Sequence, residues 1–161
     1  MNHAMMGRQH AMDTEDAAEL ALGEDFQQET CLSNAEVAVI LEKQKSDYES
    51  SEKPLTSVFT KTYSYVQRFS GTKDPVANQA SVTELREALI TYEFTRENPD
   101  DPSQPMEVRL EEFEIACLSN LNPETPEEAM ALIPSLNKKF TEDDIEEILQ
   151  IIARTTARMY A

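Results

Sequence analysis

Apolar residues recur at three- and four-residue spacing in five stretches of this chain. Val37, Ile40, Leu41 and Tyr48 mark the first. Leu55, Val58, Phe59, Thr62, Val66 and Phe69 mark the second, and Val82, Leu85, Leu89 and Tyr92 the third. Leu110, Phe113, Cys117, Leu118 and Leu121 form the fourth, and Ile145, Ile148, Leu149, Ile152 and Met159 the last. This spacing places each set on one helical face. Four S/T-x-x-E/D motifs, each before an apolar run, predict helix starts: Ser33 with Glu36, Ser81 with Glu84, Thr125 with Glu128, and Thr141 with Asp144. In such a box the hydroxyl accepts from the N–H three residues on, and the carboxylate reaches back to the cap N–H. Pro54 separates the first two helices, and Gly71 ends the second. There is no β-rich region and no internal repeat. The predicted fold is all-α, a helical bundle of about six helices with an extended N-terminal arm.

The most specific stretch is Glu112 to Leu136. Asn122-Pro123 ends one helix, because proline disfavours the helical region for the residue before it. Thr125 caps the next, with Pro126 at its first position and Glu128 reaching back to the cap. Pro134 closes the unit. Outside it the pattern weakens. Residues 1–18 are polar and unpatterned, and disorder is the expectation. Residues 19–32 form an arm in which Leu20 and Leu22 alternate with Glu19 and Ala21, and Phe26 follows Gly23. On pattern alone a helix end or a disordered arm is preferred, although the length would suit a strand added to another chain's sheet edge. Residues 33–161 make the helical domain, with a polar linker at about 94–106 around Glu97-Asn98-Pro99-Asp100-Asp101-Pro102-Ser103-Gln104-Pro105.

Glu112 to Leu136 resembles the signature of the fourth-largest subunit of eukaryotic RNA polymerase II. The core of that family resembles the helical nucleic-acid-binding domain of RecQ helicases and RNase D. Leu20-Ala21-Leu22-Gly23-Glu24-Asp25-Phe26 is similar to the start of the fungal versions. Leu32-Ser33-Asn34-Ala35-Glu36-Val37 resembles the first capped helix of the family, and Val58 to Ser70 the next. Residues 93–108 depart from the pattern, and residues 1–18 have none. The resemblance implies a non-catalytic stalk subunit in an obligate heterodimer with the seventh-largest subunit. That partner carries a tip domain and an OB-type domain that meets nascent RNA. The pair would dock on core RNA polymerase II beside the RNA exit channel and clamp. There it would favour clamp closure in initiation and give factors and transcript a landing platform. The implied location is the nucleus, with shuttling to the cytoplasm an open option. With the resemblance, the arm reads as the added strand. Leu20, Leu22, Phe26, Leu32, Val37, Ile40, Leu41, Ile133 and Pro134 become the candidate partner-binding residues.

Charge bears on the rival readings. The net charge is −17, from 14 basic and 31 acidic residues. Residues 1–53 carry −8, residues 54–96 carry +1, and residues 97–161 carry −10. Nucleic-acid affinity rests largely on cationic contacts, so an autonomous nucleic-acid-binding helical module would need a basic stripe that this chain lacks. The other alternative is the paralogous stalk subunit of another nuclear RNA polymerase. Lys61, Tyr63, Tyr65 and Arg68 could make weak RNA contact by stacking and phosphate pairing. The plainer reading is a helix with core aromatics and solvated cations, and it is the one preferred.

Catalytic chemistry finds no constellation. His3 and His10 lie in the unpatterned tail, and no Cys or His spacing suggests zinc. Cys31 and Cys117 make no disulfide framework, and Cys117 reads as a small buried hydrophobe. No glycine loop cradles phosphate. The acidic pairs Glu111-Glu112 and Glu142-Asp143-Asp144 sit in first turns, where negative charge is favourable. No catalytic residue, metal ligand or cofactor is assigned. No signal peptide or membrane-spanning run is seen, so a soluble intracellular chain without membrane contact is expected.

Overall fold

Ser33 starts the first helix as its motif predicts: Glu36 N–H reaches Ser33 Oγ at 3.3 Å, and Ser33 N–H reaches Glu36 Oε2 at 2.8 Å. The computed structural model describes residues 15–98 and 100–159. Of the stretch 1–18 expected to be disordered, residues 1–14 lie outside the described residues, and Asp16 to Ala18 take part in a 3-10 turn. Among the described residues, six α-helices follow the arm: α1 Asn34–Ser50, α2 Ser57–Arg68, α3 Gln79–Thr91, α4 Glu112–Leu121, α5 Pro126–Leu132 and α6 Glu142–Met159. Two short 3-10 turns, Ala17–Glu19 and Pro134–Lys138, complete the helical set. The all-α bundle of about six helices is thus borne out.

The main core is built by α3, α4, α5 and α6. Leu89, Ile115, Leu118, Leu136, Ile145 and Ile148 are almost fully buried within it. Burying one such side chain stabilises by roughly 1.5–3 kcal/mol. The pair α1 and α2 stands largely outside. Its first helix contributes Ala35, which packs with Val82 in a separate small cluster.

Several expectations need correction. The polar linker is the loop of a β-hairpin: β1 Glu93–Arg96 pairs antiparallel with β2 Met106–Arg109, Phe94 opposite Val108. Phe94 and Val108 turn inward while their neighbours are polar, and the Phe94 ring meets Phe140 edge-on at 5.5 Å between centroids. The alternation lasts only four residues per strand, too short to stand out from its proline-rich flanks. Ser81 is no cap; it lies inside α3, which begins at Gln79. Glu128 reaches past the cap to Glu124 N–H at 2.8 Å, while Thr125 does cap, its Oγ1 accepting from Glu128 N–H at 3.2 Å.

The inward face of α4 also differs from the apolar spacing. Glu114, Ile115, Leu118 and Ser119 are buried, Phe113 and Cys117 are half-buried, and Leu121 is exposed. The cause is Glu114. Its carboxylate accepts from Ser135 Oγ at 2.7 Å, Lys139 Nζ at 2.6 Å and Glu111 N–H at 2.8 Å. These bonds draw a charged residue inward and turn the helix about its axis. In α1 the buried positions are Ala35 and Ala38, not the larger apolar residues.

Candidate functional site

The arm is not extended in the lone chain. Asp16 caps the Ala17–Glu19 turn, Leu20 takes the left-handed conformation at φ 57°, and Asp16 bridges back to Ala21. Gln27 closes the loop: its Oε1 accepts from Leu22 N–H at 3.0 Å and its Nε2 donates to Leu20 O at 2.9 Å. The arm's backbone is therefore satisfied locally, which is why no free strand forms. The turn lies on the Pro134–Lys138 turn, with Glu19 paired to Lys138. Leu20 and Leu22 are half-buried and line a pocket of about 400 Å³ with Phe113, Glu111 and Glu112. Phe26 is 65% exposed.

Where the arm enters α1, Arg86 of α3 gathers three segments. It pairs with Glu36 of α1 and Glu112 of α4, and its Nη1 donates to Cys31 O at 3.1 Å. Burial works against its charge, but the Glu112 hydrogen bond and the Glu36 and Glu112 charges outweigh this and hold its pKa above the ordinary arginine value. Cys31 N–H donates to Glu112 Oε2 at 3.2 Å. Burial pushes both cysteine thiols up, so neither is an activated nucleophile.

The candidate partner residues fall in three places. Leu20 and Leu22 follow the first 3-10 turn, which meets the second turn, at whose start Pro134 is exposed. Leu32 and Ile40 are exposed, with Val37 and Leu41 half-buried beside Ile40 on α1. Ile133 is the correction: it is 2% exposed and belongs to the core, because α5 must bury its end against α6. Among the candidate RNA residues, Lys61, Tyr65 and Arg68 are exposed and share a side of α2 by their spacing of four and three. Tyr63 does not join them. Its hydroxyl donates to Glu42 of α1 and accepts from Gln67 Nε2 at 2.9 Å, and Lys45 Nζ lies 5.3 Å from its ring centroid. The Glu42 hydrogen bond, helped by burial, raises its pKa to about 12.

Some residues escaped the sequence pattern. Val58, placed there on the helical face of its stretch, and Phe69, read as one of the core aromatics, are both exposed. Arg86 and Glu114 had no local signal, since their partners come from distant segments. Among the described residues, no group of three or more His, Cys, Asp or Glu could hold a metal ion. Among the same residues, no helix is long and apolar enough to cross a membrane.

Comparison with known proteins gives a consistent set of matches. Residues 31–156 match the family described as RNA polymerase Rpb4. The chain is 38% identical over 144 residues to "DNA-directed RNA polymerase II subunit 4" of Arabidopsis thaliana, covering 87% of this chain and 90% of the relative. It is 33% identical over 166 residues to "DNA-directed RNA polymerase II subunit rpb4" of Dictyostelium discoideum, covering 92% and 94%. The Schizosaccharomyces pombe protein of the same name is 31% identical over 142 residues, covering 86% and 90%. The likeness spans plant, amoeba and fungus and does not single out fungi.

Proposed function

The chain belongs to the RNA polymerase Rpb4 family, and from that premise we propose that it is a non-catalytic stalk subunit of nuclear RNA polymerase II. Its partner is the seventh-largest subunit, and the pair docks beside the RNA exit channel. There it supports initiation and clamp closure and receives factors and transcript, with RNA met mainly through the partner. The observation that carries this reading is the match of residues 31–156 together with near full-length relatives named as subunit 4 of that enzyme. The surface agrees with it. Phe26, Leu32 and Ile40 are large apolar side chains exposed along the arm and α1.

Assembly would ask the arm to exchange local bonds for those of a neighbouring sheet edge. The Asp16–Ala21 bridge and the two Gln27 bonds are the ones to be given up. Each is worth on the order of 1 kcal/mol net, so the exchange is within reach of a modest interface. Removal of residues 1–32 is the test. Ser33 and its capping box remain, so helical circular dichroism should be retained, while affinity for the seventh-largest subunit should fall. Unchanged affinity would show that the arm takes no part. Failure of the intact chain to co-purify with the polymerase would overturn the reading as a whole.

A further inference from the structure

The outer face of α2 is apolar, cationic and uncovered. Val58, Tyr65 and Phe69 follow at seven and four residues, so they share one face of α2 and its cap. They are 72%, 56% and 48% exposed. Packing does not require them there, because Tyr63 and Phe59, on another side, already meet Glu42 and Tyr48 of α1. The Tyr65 and Phe69 ring centroids are 4.8 Å apart, and the Arg68 guanidinium carbon is 5.2 Å from the Phe69 centroid. Phe69 is thus flanked by Tyr65 and Arg68, and Tyr and Arg are residue types enriched among those that dominate binding energy at interfaces. Lys61 and Arg68, seven residues apart, run along one edge of the stripe.

Charge says what the stripe would accept. Residues 54–73 contain Lys61, Arg68 and Lys73 and no acid, in a chain of net charge −17. Among the described residues, none of these three has a carboxylate within 4.0 Å, whereas Arg86, Arg96, Arg109, Lys138 and Lys139 are all paired. We propose that this face of α2 docks an acidic amphipathic peptide segment of a partner protein. The segment's apolar side chains would lie on Val58, Tyr65 and Phe69, and its carboxylates would meet Lys61 and Arg68. An acidic segment is repelled by most of this surface and is steered to the side of α2 that bears Lys61 and Arg68. RNA is the poorer occupant: tight phosphate binding neutralises many charges, the edge offers two, and Val58 cannot stack on a base. The inference rests on the stalk reading only in needing this face uncovered in the heterodimer.

The probe is a labelled synthetic helical peptide with Leu at three- and four-residue spacing and Glu or Asp elsewhere. It is titrated into the full chain, alone and with the seventh-largest subunit. The controls are the same peptide with Lys for each acid, and oligouridylate as competitor. Saturable binding of the acidic peptide is expected, with amide shift changes confined to α2. Tyr65→Ala, and separately Lys61→Glu with Arg68→Glu, should each weaken it by about tenfold or more. All three positions are exposed, so the variants should keep their helical spectrum; if one does not, the other decides. Equal binding of the basic peptide, indifference to both variants, or displacement by oligouridylate would overturn the proposal. Loss of heterodimer in Tyr65→Ala would also overturn it, by making this face part of that interface while leaving the stalk reading intact. A wild-type chain that forms no heterodimer would sink the stalk reading instead, and the titration of the lone chain would still decide this one.

Discussion

Glu114 is the residue on which the bundle's corner depends. A carboxylate with no exposed surface is costly unless every lone pair is used. Here Ser135, Lys139 and the Glu111 N–H supply the partners. Glu114→Ala should leave the buried Ser135 hydroxyl unpaired and lower unfolding free energy by on the order of 3 kcal/mol in urea titrations. Glu114→Gln, which still accepts hydrogen bonds, should lose clearly less. Asp144 makes a second, pH-dependent anchor. Burial pushes its carboxyl up, but bonds from Arg96 and the Thr141 N–H more than offset this and leave it below the usual carboxylate range. Its contribution is then complete above about pH 4, the ordinary aspartate range, and is lost as pH falls through the depressed folded value. The urea midpoint should therefore drop on acidification below that range. Arg96→Met should flatten this dependence as well as lower the midpoint at neutral pH.

At the scale of elements, Gly71 joins α2 to α4. Its φ is +68°, and a Cβ there would meet Ser119 O at 2.7 Å, a backbone atom that cannot move aside cheaply. Asn122 Nδ2 also donates to Gly71 O at 2.6 Å. Gly71→Ala should cost about 1–3 kcal/mol, read as a lower melting temperature. The sequence allowed Gly71 to be placed at a helix end, and the boxes at Ser33, Thr125 and Thr141 to be read as caps, because each is a local pattern of a few residues. The hairpin was not legible, since its four-residue strands are held by Phe94 and Val108 meeting a core assembled from distant helices. For the same reason the exposure of Val58 and Phe69 was not legible. Helical spacing says that residues share a face, not which face finds a neighbour. On the arm, the alternation of Leu20 and Leu22 could not reveal that Gln27 would fold the chain back.

At the scale of the whole molecule, buried apolar mass is distributed unevenly. The large cluster joins α3 to α6 with the hairpin, while α1 and α2 contribute Ala35, Ala38 and Val66 as buried hydrophobes. Two helices fastened by so little can open without disturbing the rest. In hydrogen–deuterium exchange, amides of α2 and of the second half of α1 should exchange on the order of a hundredfold faster than those of α4 and α6. Uniform protection across all six helices would contradict this. The molecule then behaves mechanically as a stiff block bearing a compliant two-helix spring. A tug on α2 would be absorbed by the opening of that pair before any strain reached the four-helix block.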